Sequence, residues 1–245
     1  MKNKTGFIDG ARILKRGDWE PSLVDAIFEQ DDFLGNILKD EWDLYLGAGC
    51  AGAIVPALNG TVALTTVAGD NLFAQLSHAL NHNALRSCGI EARVALDVAT
   101  LCTIEVGFCS ALTEAQGRAY DDYLNGVGGI PMPVAANHSA IIGFDPLDSA
   151  AGYPNFTAVN SLGGVSPLAV NMGILPVGGT FYRLKVQLDA AGNAFYYIND
   201  DLLATHLLAV TPATPLTPWL AVSNKAGAIA RNLTIDYVKF WQNRI

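Results

Sequence analysis

Charge is what this sequence has least of. Asp, Glu, Lys and Arg make up 16% of its 245 residues, against roughly 25% in an average soluble protein. None falls between Asp43 and Asp70, and none from Ser149 to Tyr182. With 51% apolar residues, part of so weakly charged a surface is expected to lie in subunit contacts. A net charge of −8 argues against a nucleic-acid partner, because phosphate binding needs a clustered basic face. The uncharged stretch after Asp43 is cut by Gly47, Gly49, Gly52, Pro56, Asn59 and Gly60, so it reads as a hairpin, and no membrane partner is expected. The cysteines Cys50, Cys88, Cys102 and Cys109 form no CxxC and sit near no matching histidine pair. They are expected to be reduced, small core residues. The opening residues lack the basic, apolar, small-residue order of a signal peptide, so assembly in a cytoplasm is expected. No repeat of fixed period occurs, which disfavours solenoids and propellers.

What is present is alternation. Tyr182, Leu184, Val186 and Leu188 alternate with Arg183, Lys185, Gln187 and Asp189, the period of two that gives a strand one apolar face. Gly192-Asn193 supplies a turn, Ala194 to Ile198 resumes the strand, and Asn199-Asp200-Asp201 reads as the next reversal. Val55 to Thr66, with Asn59-Gly60 at its centre, is a second hairpin. Glu91 to Val98 alternates with Ala92, Val94, Leu96 and Val98 inward, and Thr103 to Cys109 follows with Ile104, Val106 and Phe108 inward. These two read as neighbouring central strands. Ser139 to Phe144 is strand-like. The closing run sets Leu233, Ile235 and Tyr237 against Thr234, Asp236 and Val238. Asp70 to Gly89 fits a helix about as well as a broken strand, and Thr113 to Gln116 has the spacing of a capping box. Short strands with turns every eight to twelve residues define an all-β sandwich or barrel.

Two regions divide the chain. Residues 31–245 form the domain, and residues 1–30, which show no sustained alternation, form an N-terminal arm. The arm is charge-segregated: Lys2, Lys4, Arg12, Lys15 and Arg16 crowd its start, and acidic residues follow from Asp18. Lys2, Lys4, Arg12, Lys15, Arg16 and Trp19 are its candidate contact residues for an acidic partner surface.

In order, Asp32-Phe33-Leu34-Gly35 to Trp42, Glu91 to Leu96, Glu105-Val106-Gly107-Phe108, the hairpin Leu184 to Asn199, and Ile235 to Gln242 resemble the concanavalin-A-like jelly rolls of the lectin, laminin-G and glucanase superfamily. Within it, the chain looks like the proteins of this fold found in tailed-bacteriophage virions as capsid decoration, or cement, proteins. The resemblance implies a jelly-roll β-sandwich of two antiparallel sheets with an extended arm. It also implies a non-enzymatic subunit on the virion surface that binds the major capsid protein and forms a homo-oligomer, a trimer being favoured. The alternative is a carbohydrate-binding module of a tail or fibre that recognises host glycan.

A jelly-roll glucanase strand carries Glu-x-Asp-x-x-Glu, with two carboxyls roughly 5–5.5 Å apart for a retaining reaction. Glu105-Val106-Gly107-Phe108-Cys109-Ser110 lacks both later acids. Asp145 and Asp148 read as turn residues. His78 and His82 have zinc spacing only if their segment is helical, and no HExxH or third ligand accompanies them. No serine lies in a nucleophile-elbow context and no glycine pair opens a helix. No cofactor or metal is therefore expected, although the loops 121–125, 145–148 and 199–201 carry oxygen ligands of the kind calcium takes. Tyr120, Tyr123 and Tyr153 are the rings available to stack on a sugar.

Overall fold

The computed structural model describes residues 26–35, 37–55, 60–69, 72–99, 102–111, 138–146, 155–163, 165–224 and 229–244. The alternating segments become strands: β1 (Ala26–Asp31), β2 (Asp43–Leu46), β3 (Ala51–Val55), β4 (Thr61–Thr65), β5 (Phe73–Ser77), β6 (Gly89–Leu96), β7 (Cys102–Cys109), β8 (Ser139–Phe144), β9 (Thr157–Leu162), β10 (Val165–Asn171), β11 (Phe181–Leu188), β12 (Ala194–Ile198), β13 (Asp201–His206), β14 (Thr217–Asn224) and β15 (Asn232–Asn243). They make two antiparallel sheets. The first runs β13-β12-β11-β6-β15-β4-β3, with β1 added on the second half of β15; the other runs β10-β9-β8-β7-β14-β5-β2.

One core fills the space between the sheets. Ile90, Ala92, Val94, Leu184, Val186, Tyr196, Leu233 and Ile235 from the first sheet meet Leu76, Ile104, Val106, Phe108, Ile142, Phe144 and Leu220 from the second. Every second residue of each central strand points into this layer, as the pleat requires. The turns use the expected residues: Gly192, Asn199 and Asp200 all have positive φ, and Asp189 Oδ1 accepts from the backbone N–H groups of Ala191 and Asn193 to close the β11–β12 loop.

The β11–β12 hairpin forms as read around Gly192; β3 and β4 also pair, but β3 is Ala51–Val55 with Val55 opposite Thr61, and the expected strand residues Pro56–Leu58 and turn residue Asn59 lie outside the described residues. Asp70 to Gly89 resolves into β5 and a short 3₁₀ helix at Ala84–Arg86. Three expectations change. The strands β6 and β7 are not neighbours but face each other from opposite sheets; their shared inward alternation is the same in either arrangement, so periodicity could not tell pairing from stacking. Val98 lies beyond β6 and is 44% exposed. In β15 the register shifts between Ile235 and Tyr237. That bulge turns Tyr237 outward and buries Val238 in the core, because one extra residue inverts the faces of everything after it.

Ala26–Gln30, placed by sequence in the extension, belong to β1, where Phe28 lies opposite Trp241 and Gln30 opposite Lys239. Lys2, Lys4, Arg12, Lys15, Arg16 and Trp19 lie outside the described residues, as does the capping-box segment at Thr113.

Candidate functional site

The glucanase-type strand of the sequence is β7, at the centre of the second sheet. Its outward residues are Thr103, Glu105, Gly107 and Cys109, since the alternate ones enter the core. Registered beside them are Ser223, Ala221, Trp219 and Thr217 of β14, and Gly143, Ile141 and Ser139 of β8. The face continues outward through Ser77 and Gln75 of β5 to Asp43 and Tyr45 of β2. Its middle is buried: Trp219, Gln75, Ser77, Ile141 and Ser139 are fully enclosed and Glu105 is 3% exposed. Trp219 Nε1–H donates to Glu105 Oε2 at 2.6 Å, a charge-assisted bond that satisfies both an indole donor and a carboxylate away from water.

Gly107 stands where the middle acid of the motif would be, and the structure shows why no acid fits there. A Cβ built there would lie 2.2 Å from the carbonyl oxygen of Ala140 and 2.7 Å from the Cα of Ile141. No side chain, and so no aspartate, fits in the middle position of the motif without parting β7 from β8. Cys109 next along the face is buried and reduced, and Ser110 Oγ accepts the backbone N–H of His138. The described strand therefore offers no second carboxyl at the separation that displacement at a glycosidic carbon uses.

Asp145, expected to be a solvated turn residue, is 1% exposed, drawn in at the end of β8 beside the core residue Phe144. Asp148, Tyr120, Tyr123 and Tyr153 lie outside the described residues, as do the loop 121–125 and the second half of the loop 145–148. At the rim of the face, where β2 is the edge strand, the surface opens: Asp43 is exposed, and Tyr45 and Phe73 are half-buried. Sequence reading missed this rim because a four-residue strand carries too little alternation to mark its faces.

The histidines come together without a helix. His78 and His82 lie on the β5–3₁₀ connection with ring centroids 6.4 Å apart, both against Phe240. Burial, followed by the nearby His78 and Arg86, lowers the His82 pKa to about 3, so this imidazole is neutral across the physiological range. His78 Nε2 stands 3.7 Å from Glu29 Oε2 of β1. Among the described residues no group of three His, Cys, Asp or Glu side chains is arranged to hold a metal ion. His206, isolated in sequence, donates its Nδ1–H to Asn160 Oδ1 at 2.7 Å, and Asn160 Nδ2 donates to the Ala209 carbonyl. That bridge ties β9 to β13 across the sandwich. Burial lowers the His206 pKa to about 4.

The outer face of the first sheet is a lattice of pairs. Lys239 Nζ lies 3.0 Å from Glu91 Oε1, which also accepts from the Tyr237 hydroxyl at 2.7 Å. Burial would raise the Glu91 pKa, but Lys239, the Tyr237 hydrogen bond and Lys185 outweigh it and hold the carboxyl below its ordinary value. Arg93 bonds Asp236 at 2.6 Å and lies 4.3 Å over the Phe181 ring; Lys185 sits 4.3 Å over Tyr197. The ring faces of Phe181 and Tyr197 are thus already occupied by cations.

No protein-family model matches the chain, and no curated protein matches it in sequence. Solved structures do. The carbohydrate recognition domain of Emp47p superposes with a TM-score of 0.60 at 12% identity, over 92% of this chain and 100% of that one. A family 16 endo-glucanase from Bacteroides ovatus gives 0.60 at 11% identity, over 86% and 99%. A protein of unknown function from Shewanella oneidensis gives 0.59 at 10% identity, over 90% and 87%. The chain has the concanavalin-A-like jelly-roll fold.

Proposed function

We propose that this chain is a non-catalytic recognition module of the concanavalin-A-like fold whose ligand is carbohydrate. The observation that carries the reading is the pairing of a complete jelly-roll frame with a β7 segment that has Glu105 but Gly107 and Ser110 where the two later acids of the glucanase motif would stand. Likeness to carbohydrate recognition domains over nearly the whole chain supports the ligand class. The binding surface we assign is the rim at β2. There the Asp43 carboxylate accepts from sugar hydroxyls, and the Tyr45 ring, half-exposed two residues along the same face, packs on the apolar CH surface of a pyranose. The test is a glycan array followed by titration calorimetry. A glycan hit that Asp43→Ala and Tyr45→Ala each weaken about tenfold or more, a loss of about 1.4 kcal/mol, with an unchanged circular dichroism spectrum, is expected. A glycan hit unaffected by either substitution would move the site elsewhere, and no hit would remove the reading.

A second reading, capsid decoration on a bacteriophage virion, is favoured by the charge-poor surface with exposed apolar residues such as Leu34, Ile37, Leu207 and Leu208 and by the resemblance to virion proteins drawn from the sequence. A subunit that stabilises a shell needs added interface rather than a cleft. Copy number per particle, measured by quantitative mass spectrometry, separates it: a simple ratio to the major capsid protein supports decoration, and absence from particles eliminates it.

A further inference from the structure

We propose that Glu29 and His78 form a proton-operated latch between β1 and the second sheet, closed when the His78 ring carries a proton and open when it does not. Among the described strands β1 is paired on one side only, to the second half of β15. Its residues Asp31 and Glu29 lie opposite Val238 and Phe240, which are core residues, so both acids point into the gap between the sheets. One of them is fully satisfied. Asp31 accepts from the backbone N–H of Phe33 and from Trp42 Nε1–H, both at 2.9 Å, and Lys39 Nζ lies 3.3 Å away.

Glu29 has a different partner. His78 Nε2 stands 3.7 Å from its carboxylate, and His78 is 5% exposed with no hydrogen bond at either Nδ1 or Nε2. A buried imidazole bonded at neither nitrogen is rare, because nothing offsets its loss of water. The main chain fixes its place: the His78 N–H donates to Thr217 Oγ1 of β14 at 3.0 Å, and the Thr217 hydroxyl donates to the His78 carbonyl. The Glu29 side chain, 42% exposed, is the part free to move. A shift of about 1 Å at its carboxylate closes the gap to a charge-assisted hydrogen bond.

The groups around the ring leave it as the proton's place. Trp42 and Phe240 pack against it at centroid distances of 5.7 and 4.8 Å, and Asp31, with Lys39 beside it, meets this cluster through the Trp42 indole. On β15 the next inward residue, Gln242, is uncharged and donates to the Asn81 carbonyl. His82, its ring 6.4 Å away, is kept neutral by burial, then by His78 and Arg86, so the two histidines take up a single proton. The neutral His78 ring has no hydrogen bond to lose on protonation and a carboxylate to gain. A link of this sign is present below the ordinary histidine value of about 6.5 and is lost as pH rises through the folded-state value. Residues 1–25 join the domain at β1, so the latch sets how firmly their point of attachment is held, whatever the ligand.

Hydrogen exchange of the full chain, read by mass spectrometry on either side of the histidine range at about pH 7.5 and 5.5 and corrected for intrinsic rates, tests it. The β11–β12 hairpin serves as the internal reference. Protection of β1 relative to the hairpin is expected to rise about threefold at the lower pH, the scale of a partly exposed ion pair. Glu29→Gln keeps the length of a half-exposed side chain, so it should fold with an unchanged circular dichroism spectrum and lose the rise while matching the wild type at the higher pH. The His78 ring, followed by NMR, should titrate at lower pH in Glu29→Gln than in the wild type. No rise in the wild type, an equal rise in Glu29→Gln, or a His78 titration that the substitution leaves in place would overturn the proposal.

Discussion

On the outer face of the first sheet, Glu91 meets Lys239 and Tyr237, Arg93 meets Asp236 and Phe181, and Lys185 meets Tyr197. Across the sandwich, the central strand of the second sheet carries one carboxylate, Glu105, held by an indole, among glycine, alanine, serine and isoleucine. Both strands lie over the same core, yet one outer face is stabilised by compensated charge and the other by close approach of backbones. The two therefore fail differently. A face of paired charges loses one pair at a time, while a face of close contacts has no slack to absorb an added atom.

The largest effect should come from that lack of slack. Gly107→Ala places a methyl group against the Ala140 carbonyl and the Ile141 backbone, atoms of a strand that cannot move without breaking its ladder with β7. A loss of about 4 kcal/mol or more is expected from urea unfolding midpoints. A loss under about 1 kcal/mol would show that β7 and β8 part easily and that an aspartate could have been accommodated. The bar to an acid at position 107 would then fall.

This contrast was half legible in the sequence. Alternation in Tyr182–Leu188 and Ile104–Phe108 showed which side chains enter the core, and Gly192-Asn193 placed the β11–β12 hairpin, because those signals are local; Asn59-Gly60 marked the β3–β4 reversal, but its first strand was expected four residues too late. The absence of the later acids after Glu105 was also plain. What was not visible was non-local: that β6 and β7 stack rather than pair, that a bulge at Asp236 turns Tyr237 out to reach Glu91, and that Gly107 is required by a carbonyl more than thirty residues downstream. The exposed rim at Asp43 and Tyr45 depends on sheet order, which no short stretch encodes.

An intermediate effect is expected from breaking the central pair of the first face. Lys239 and Glu91 are 4% and 8% exposed, so Lys239→Met leaves a buried carboxylate without its cation, at a cost of about 3 kcal/mol near neutral pH. The pH dependence carries the sign. In the wild type the Glu91 pKa is depressed from 4.5, so the pair's stabilisation is full above that value and is lost as pH falls through the depressed one. Without Lys239, burial dominates and the folded pKa rises. The variant should then regain stability relative to wild type as pH falls toward 4, and Glu91→Gln in the same chain should restore most of the loss at pH 7. An equal deficit at both pH values would mean that the lost lysine stem, not the orphaned charge, is responsible.

The smallest effect belongs to Lys185, and it tests whether the cations on the first face act by charge or by coverage. Lys185 is opposite Glu91 in the β6–β11 ladder and opposite Tyr197 in the β11–β12 ladder, with its ammonium 4.3 Å above the Tyr197 ring. A half-exposed cation–π contact contributes about 0.5–1 kcal/mol, and the methylene stem covers apolar ring surface besides. Lys185→Ala removes both contributions, whereas Lys185→Met keeps a stem of similar length and removes only the charge. If charge dominates, both variants lose about the same stability, and raising the salt concentration weakens the wild type toward them. If coverage dominates, Lys185→Met stays close to wild type at all salt concentrations. In that case the first face, like the second, is held mainly by packing, and the two differ in the chemistry of the atoms rather than in the force that holds them.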